Sequence, residues 1–387
     1  MIFFEVYLFH MFRDRLISGK NKLSFGITLV LLWQFAFVCG ANDSLSLINN
    51  LRLGVDLQYG SVLPHHASIE YALESNITGF EVHLTTDTYG RSNWDELYRY
   101  PRMGTGFLVT SLGNRKVYGT AEVLFLFVDI PMNTQPRKLF AGYQISFGLS
   151  YIDKLYDVVE NPLNMAISTR LNVYANLRFN AKYVIKPGNE IAASFGFSHF
   201  SNGKISSPNQ GINTGIFTLG YNYVISQPRY SKISNKKFTV SKRHIGEVVL
   251  SGGVKSDDQV NRKSYLISTL TSDYYYFFSR KYAAGLGVDF FFDQTLGPNM
   301  VAQNGGEYNT SDLFQCGVHG AIYAKYGRLY IVGNIGPYLH ATFIKYARFY
   351  TRIGIRYEAT PHILLNISLK AHYAIADYVE WGIGYRI

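Results

Sequence analysis

The sequence predicts an all-β fold, and within that class a transmembrane antiparallel up-and-down β-barrel of the outer membrane with about 12 to 16 strands. Three observations predict it. The 387 residues include 31 Tyr, 27 Phe and 35 Gly, a mixture that favours aromatic-rich strands and tight turns over helices. Apolar residues alternate with polar ones at a period of two, and the amino terminus has the pattern of an export signal.

The amino-terminal segment predicts export from the cytoplasm. A cluster of Arg and Lys between residues 13 and 22 precedes the apolar run from Phe25 to Val38. This order is typical of a secretory signal peptide, so we expect residues 1–40 to be absent from the mature protein. Although the net charge is +10, no Lys/Arg cluster alternates with aromatic residues, and no nucleic-acid partner is expected.

Alternation distinguishes two faces along most of the remaining chain. In YQISFGLSY, residues 143–151, Ile145 and Phe147 fall on one face, and Ser146 and Gly148 fall on the other. A soluble sandwich would also alternate. Strands of about ten residues, an aromatic apolar face and a second face of glycines and charges favour an outer-membrane barrel with a polar interior.

The predicted strands fall into two groups separated by a polar, basic connector at residues 226–243. The first group belongs to a portion at 41–225, and the second to additional carboxy-terminal strands at 244–387. We expect the additional strands either to enlarge the first barrel or to form an addition. The predicted strands cover residues 51–60, 77–88, 103–112, 117–129, 138–152, 167–185, 189–202, 212–225, 245–255, 264–278, 282–293, 312–326, 328–340, 346–358, 362–373 and 377–387.

A histidine and a serine at the end of the seventh predicted strand are candidates for chemistry. In IAASFGFSHFSN, residues 191–202, His199 and Ser201 have the same parity as Phe195 and Phe197, which places them on the lipid face. Asn213, on the next strand, can approach them from the same face. Polar groups facing lipid are costly unless they lie near the interface or serve a function. A simple interfacial strand end followed by a turn remains the alternative.

The segment HFSNGKISSPNQGIN, residues 199–213, resembles the motif of the lipid A 3-O-deacylase (PagL) family, also known as acyloxyacyl hydrolases. In that family a His-x-Ser-Asn strand end precedes a Pro-Asn-x-Gly turn. Residues 150–172 and 369–387 are similar to a second segment of the family and to the ending of its longer members. The resemblance implies a PagL-like barrel of eight strands within residues 51–225, in a Gram-negative outer membrane.

The same resemblance implies the roles of five residues. Ser201 would be the nucleophile, His199 the base that takes its proton, and Asn202 with the backbone of Gly203 the donors to the oxyanion. The third catalytic member departs from the family, because Asn213 occupies the position of a glutamate. An asparagine can orient a neutral imidazole but cannot stabilise the imidazolium by charge.

The predicted function is therefore that of an outer-membrane serine esterase that removes an acyl chain from lipid A in lipopolysaccharide. No cofactor or metal is implied, because the sequence has no phosphate-binding glycine loop and no Cys/His metal pair. The expected partners are lipid A and the bilayer, and the oligomeric state is left open. A non-catalytic barrel, either a pore or a structural protein, and an outer-membrane phospholipase remain as alternatives.

A second group of polar residues lies near the carboxy terminus. His372 and Glu380 have the parity of the barrel interior, whereas Asp377 is expected in or near a turn. A polar network inside the barrel explains this group better than a metal site or a second catalytic site.

Overall fold

The chain folds into two closed antiparallel β-barrels. The computed structural model describes residues 51–387 except 89–92, 134–137, 227–242, 257–262, 306, 345–346 and 374. The predicted signal at residues 1–40 and nearly all of the predicted connector at 226–243 lie outside the described residues. The described part contains sixteen strands, which is the upper end of the predicted range.

The first barrel contains the first eight strands in chain order. It closes because β1 pairs with both β2 and β8. Its strands are β1 (Leu51–Val62), β2 (Ile77–Asp87), β3 (Arg102–Ser111), β4 (Thr120–Pro131), β5 (Leu139–Ile152), β6 (Leu171–Lys186), β7 (Asn189–Ser201) and β8 (Ile212–Val224).

The second barrel contains the remaining eight strands and closes through the pairing of β9 with both β10 and β16. The additional strands therefore close on themselves and do not widen the wall of the first barrel. The strands are β9 (His244–Ser256), β10 (Ser264–Phe277), β11 (Tyr282–Asp293), β12 (Phe314–Tyr326), β13 (Leu329–Ala341), β14 (Phe349–Glu358), β15 (Ile363–His372) and β16 (Ile375–Arg386).

The exteriors of both barrels are apolar and their interiors are polar. On β7, Phe195 is 63% exposed, whereas Ser194 and Ser198 are buried inside. On β16, Trp381 is 62% exposed, whereas Glu380 is buried. This arrangement is the inverse of a soluble barrel and is typical of a wall that faces lipid.

Buried ion pairs and aromatic rings fill the interiors. In the first barrel Arg178 contacts Glu81 at 2.7 Å, and in the second Arg356 contacts Glu247 at 2.6 Å. The rings of Tyr275, Tyr323 and Tyr330 stack with centroid separations of 4.4 Å and 4.8 Å. An eight-stranded barrel has an interior just wide enough for side chains, and these side chains occupy it.

Short helices lie in the connections between strands. They are α1 (Ala67–Tyr71), α2 (Asn93–Leu97), α3 (Leu296–Asn304) and a 3₁₀ turn at Thr310–Leu313. Among the described residues, no helix has both the length and the apolar character needed to cross a bilayer.

Candidate active site

The candidate site lies where β7 ends and β8 begins. Ser201 is the last residue of β7, and His199 is paired directly with Asn213 in the register of the two strands. Because side chains two apart on a strand share a face, His199 and Ser201 point the same way, and the directly paired Asn213 points with them. The structure thus brings together the three residues that the sequence analysis selected as catalytic.

The three side chains are linked by hydrogen bonds. His199 Nε2 lies 2.9 Å from Ser201 Oγ, and His199 Nδ1 lies 2.6 Å from Asn213 Oδ1. An amide oxygen can only accept, so Nδ1 carries the proton and donates it to Asn213. Nε2 of the neutral ring is then free to accept the hydroxyl proton of Ser201, which is the arrangement needed for a general base.

His65 extends this chain of hydrogen bonds and was not selected from the sequence. Asn213 Nδ2 lies 3.1 Å from His65 Nδ1, and His65 Nε2 lies 2.8 Å from the carbonyl oxygen of Gln210. The carbonyl accepts from Nε2–H, which leaves His65 Nδ1 to accept from Asn213. The amide of Asn213 is therefore held with its oxygen toward His199. His65 lies 148 positions from Asn213 in the sequence, and no local pattern connects them.

The site is on the outer face of the first barrel. His199 and Ser201 share the side of β7 that carries Phe197, which is 43% exposed, and Phe217 of β8 is 53% exposed on the same wall. Ser201 itself is only 7% exposed. The nucleophile candidate is thus sheltered from water at the edge of an apolar wall.

Asn202 and Gly203, the predicted oxyanion donors, begin the turn between β7 and β8. Asn202 is buried, and its Nδ2 donates to Ser168 Oγ and to the carbonyl oxygen of Ser206, both at 3.1 Å. Its backbone N–H donates to Asn209 Oδ1 at 3.1 Å. Gly203 has φ +62°, in the left-handed region that favours glycine. In this conformation Asn202 supports the turn, and its role as an oxyanion donor stays a prediction.

The loop between β5 and β6 supports the other side of this turn. The N–H groups of Gln210 and Gly211 donate to the carbonyl oxygens of Met165 and Ala166, at 3.2 Å and 3.1 Å. Both acceptors belong to residues 150–172, the second segment whose resemblance to the family was noted in the sequence. That segment therefore directly contacts the turn at residues 202–211, which follows the candidate nucleophile and is called the catalytic turn below.

The carboxy-terminal polar group lies inside the second barrel. His372 Nε2 contacts Tyr338 Oη at 2.9 Å, and Asp377 accepts from Lys255 at 2.8 Å and from Lys370 at 3.1 Å. Asp377 is the third residue of β16. An irregularity in the β15–β16 register turns its side chain inward. These residues belong to an interior network of ion pairs.

One group among the described residues has the spacing of metal ligands. Atoms of Asp56, Glu81 and His83 lie within 4.8 Å of one another inside the first barrel. Arg178 contacts Glu81 at 2.7 Å and Asp56 at 3.6 Å, so a guanidinium already supplies the positive charge at this point. The group is accounted for as part of the interior ion pairs.

Two family models match the chain. The model of lipid A 3-O-deacylase (PagL) matches residues 78–222, and that of the acyloxyacyl hydrolase C-terminal domain matches residues 245–387. The first match covers the candidate site, and the second covers nearly the whole second barrel. By sequence, no protein of curated function matches this chain.

Solved structures with similarity to the chain include the outer membrane enzyme PagL, at 12% identity and a TM-score of 0.28, covering 44% of this chain and 99% of that one. Neisserial surface protein A has 11% identity and a TM-score of 0.29, covering 45% and 97%. A mutant porin of Rh. blastica has 10% identity and a TM-score of 0.20, covering 87% and 99%.

The two family matches lie end to end along the chain and correspond to its two barrels. The protein therefore belongs to the lipid A 3-O-deacylase (PagL) family, as a longer member with a carboxy-terminal domain.

Proposed function

We propose that the protein is an outer-membrane serine esterase that removes an acyl chain from lipid A. The observation that carries this proposal is the hydrogen bond of 2.9 Å between His199 Nε2 and Ser201 Oγ on the apolar outer wall of the first barrel. Membership in the family supports the choice of substrate. A nucleophile and its base on that wall have access to an ester whose acyl chain remains in the bilayer.

In the first step Ser201 Oγ attacks the ester carbonyl carbon while His199 Nε2 takes the hydroxyl proton. The imidazolium that forms keeps its Nδ1–H on Asn213 Oδ1, which fixes the ring during the transfer. When the tetrahedral intermediate collapses, the bond to the sugar oxygen breaks, and His199 returns the proton to that leaving oxygen. The acyl group is then attached to Ser201.

In the second step water attacks the acyl-serine. His199 Nε2 takes a proton from that water, and the collapse of the second tetrahedral intermediate returns the proton to Ser201 Oγ. A free fatty acid is released, and the site regains its initial protonation. No redox partner or metal enters either step.

The negative charge on the carbonyl oxygen needs a donor in both steps. We assign the backbone N–H of Gly203 to it, because Gly203 begins the turn just beyond the nucleophile and its lack of a Cβ admits the left-handed φ of +62°. Asn202 holds this turn through three hydrogen bonds, to Ser206 and Asn209 within the turn and to Ser168 in the loop between β5 and β6. A donor held in place in advance contributes most when water is excluded, and Ser201 is buried.

The position along the strand supports a site at the outer leaflet. The turn between β6 and β7, at residues 187–188, lies at the opposite end of the barrel from Ser201. Outer-membrane barrels have short turns on the periplasmic side and longer loops outside. Ser201 lies at the end with the longer connections, such as residues 153–170, which is where lipid A would be met.

The packed interiors favour an enzyme over a pore. In the described residues, charged side chains cross both lumens, including Arg178 with Glu81 and Arg352 with Asp289 at 2.9 Å. An open channel would require these pairs to separate. A phospholipase would use the same wall and the same two residues, so only the choice of lipid distinguishes it.

Lipid A masses provide the test. The protein would be folded in detergent and incubated with lipopolysaccharide and, separately, with phospholipid, and the products compared by mass spectrometry. The wild type is expected to remove one acyl chain from lipid A, and Ser201→Ala to remove none. Ser198→Ala is the matched control, because Ser198 lies on the same strand with its side chain inside the barrel. Unchanged lipid A with the wild type would overturn the proposal, and cleavage of phospholipid alone would establish the phospholipase.

A further inference from the structure

The catalytic turn is in contact with the second barrel as well as the first. The backbone N–H of Ser256 donates to the carbonyl oxygen of Lys204 at 2.9 Å. The hydroxyl of Ser207 donates to the carbonyl oxygen of Ser256 at 2.7 Å. Ser256 is the last residue of β9, and it is 1% exposed. One buried residue of the second barrel therefore bridges two residues of the turn that follows the nucleophile.

A third contact places the second barrel directly against Gly203. A Cβ atom added to Gly203 would lie 2.3 Å from Cγ2 of Val379, a residue of β16. Real Cβ atoms do not approach other carbon atoms so closely, so only glycine fits against Val379. Val379 and Ser256 lie on β16 and β9, the two strands whose pairing closes the second barrel.

The turn has a conformation that needs support. Gly203 and Lys204 have φ values of +62° and +65°. The left-handed region is open to glycine but unfavourable for lysine, and such residues persist where surrounding contacts hold them. The carbonyl oxygen of Lys204 accepts a hydrogen bond from Ser256. The second barrel therefore helps to hold the backbone conformation that sets the direction of the Gly203 N–H.

We propose that the second barrel is a positioning element for the catalytic turn, acting through Ser256, Ser207 and Val379. This inference rests on the proposed function, because it assigns these residues to the same esterase site. A displacement of about 1 Å can lower a catalytic rate by about 100-fold. Contacts that fix the position of the oxyanion donor can therefore change turnover strongly. The described residues of the second barrel contribute no atom to the reacting groups.

Another contact between the barrels supplies a matched control. At the opposite end, far from the catalytic turn, the hydroxyl of Tyr98 donates to the carbonyl oxygen of Lys325 at 2.7 Å. Tyr98→Phe and Ser207→Ala each remove one hydrogen bond of the same length between the barrels. Only Ser207→Ala removes a bond from the turn.

The first measurement compares kcat and KM for lipid A deacylation in detergent micelles. Ser207→Ala is expected to lower kcat by about tenfold, with KM within about twofold of the wild type, because the bond acts on orientation and not on lipid binding. Val379→Ala, which loosens the packing on Gly203, is expected to lower kcat by about threefold. Tyr98→Phe is expected to retain the wild-type kcat.

The second measurement does not depend on activity. Trypsin cleaves after lysine, and the rate of cleavage after Lys204 in the folded protein reports how firmly the turn is held. Ser207→Ala is expected to be cut at least several-fold faster than the wild type, and Tyr98→Phe at the wild-type rate. Wild-type kcat and wild-type cleavage in both Ser207→Ala and Val379→Ala would overturn the inference.

The two proposals fail in different ways. If the wild type shows no hydrolysis that depends on Ser201, the esterase is refuted and the positioning role with it, whereas the trypsin comparison still decides whether the second barrel holds the turn. If the wild type is active and the variants are unchanged, only the positioning role is refuted.

Discussion

Two histidines of this protein have opposite surroundings. His199, on the outer wall of the first barrel, lies between the hydroxyl of Ser201 and the amide oxygen of Asn213. His319, inside the second barrel, lies between Asp273 and Asp289, with each ring nitrogen 2.8 Å from a carboxylate oxygen. His319 is 3% exposed.

The difference shows that the hydrogen-bond partners of a histidine determine which role its ring can take. Two carboxylates accept hydrogen bonds from both nitrogens of His319, so that ring is one cation among the buried ion pairs. At His199 one neighbour accepts and the other donates, which keeps one nitrogen available as a base. The residue type is the same, but of the two only His199 has a ring nitrogen left to accept a proton from a neighbouring hydroxyl, which is the role proposed for it.

Replacing the outer histidine gives the largest expected effect. His199→Gln removes the base and is expected to lower turnover of lipid A about 10³-fold or more, since general base catalysis contributes about 10² to 10⁴. The thermal unfolding of the barrel is expected to stay close to that of the wild type, because the residue lies at a strand end. Measuring both kcat and the melting temperature tests whether turnover is lost while stability is retained. Substantial activity in His199→Gln would remove the histidine from the mechanism.

Replacing the inner histidine is expected to have the reverse pattern. His319→Gln removes one cation from Asp273 and Asp289, which keep Arg356 and Arg352 at 2.8 Å and 2.9 Å. The expected loss is therefore smaller than the about 3–5 kcal/mol of a buried charge left without any partner. Denaturant unfolding in detergent is expected to show this loss, while kcat of the protein that remains folded stays near the wild-type value. Unchanged stability would show that other members of the network carry the charge balance.

Asn213 gives a smaller effect that tests the orientation of the base. Asn213→Ala removes the acceptor from His199 Nδ1, and leaving that donor unpaired costs about 1–3 kcal/mol, or about 5- to 150-fold in kcat. Asn213→Glu restores the acceptor with a negative charge, so it is expected to retain activity. A wild-type rate in Asn213→Ala would mean that the ring is oriented by other contacts.

The pH dependence of turnover in the wild type and in Asn213→Glu gives a further test of this contact. Turnover requires a neutral imidazole and is expected to fall as the pH drops and His199 takes up a proton. The carboxylate of Asn213→Glu stabilises the imidazolium, so the acid limb of its pH–rate profile is expected to move to higher pH. An unchanged limb would show that the new carboxylate does not face His199.

His65 is expected to have the smallest effect. It contacts Asn213 at 3.1 Å but lies exposed in the loop after β1, where water can replace its nitrogen. His65→Ala is therefore expected to lower kcat by only about two- to fivefold, within the range of one solvent-accessible hydrogen bond. A loss as large as that of Asn213→Ala would place His65 among the essential supports of the site.

Much of the fold was predictable from local alternation. All sixteen predicted strands are present, with ends displaced by a few residues, because side chains on a strand alternate between faces whatever the strand pairs with. The same rule placed His199, Ser201 and Asn213 on one outer face. The inward orientation of the Asp377 side chain could not be predicted from alternation. A register irregularity changes which face a residue occupies without a clear mark in the sequence.

The sequence by itself determined the strands, their two faces and the polar residues at the end of β7. The resemblance to the family already implied an eight-stranded first barrel, and β8 pairs with β1. Only the tertiary structure decided that the last eight strands close separately. It also decided that His65, Ser256 and Val379 meet the turn between β7 and β8. Alternation is a property of neighbouring residues, whereas closure and loop contacts join residues far apart in the chain, where geometry and packing act and no local pattern exists.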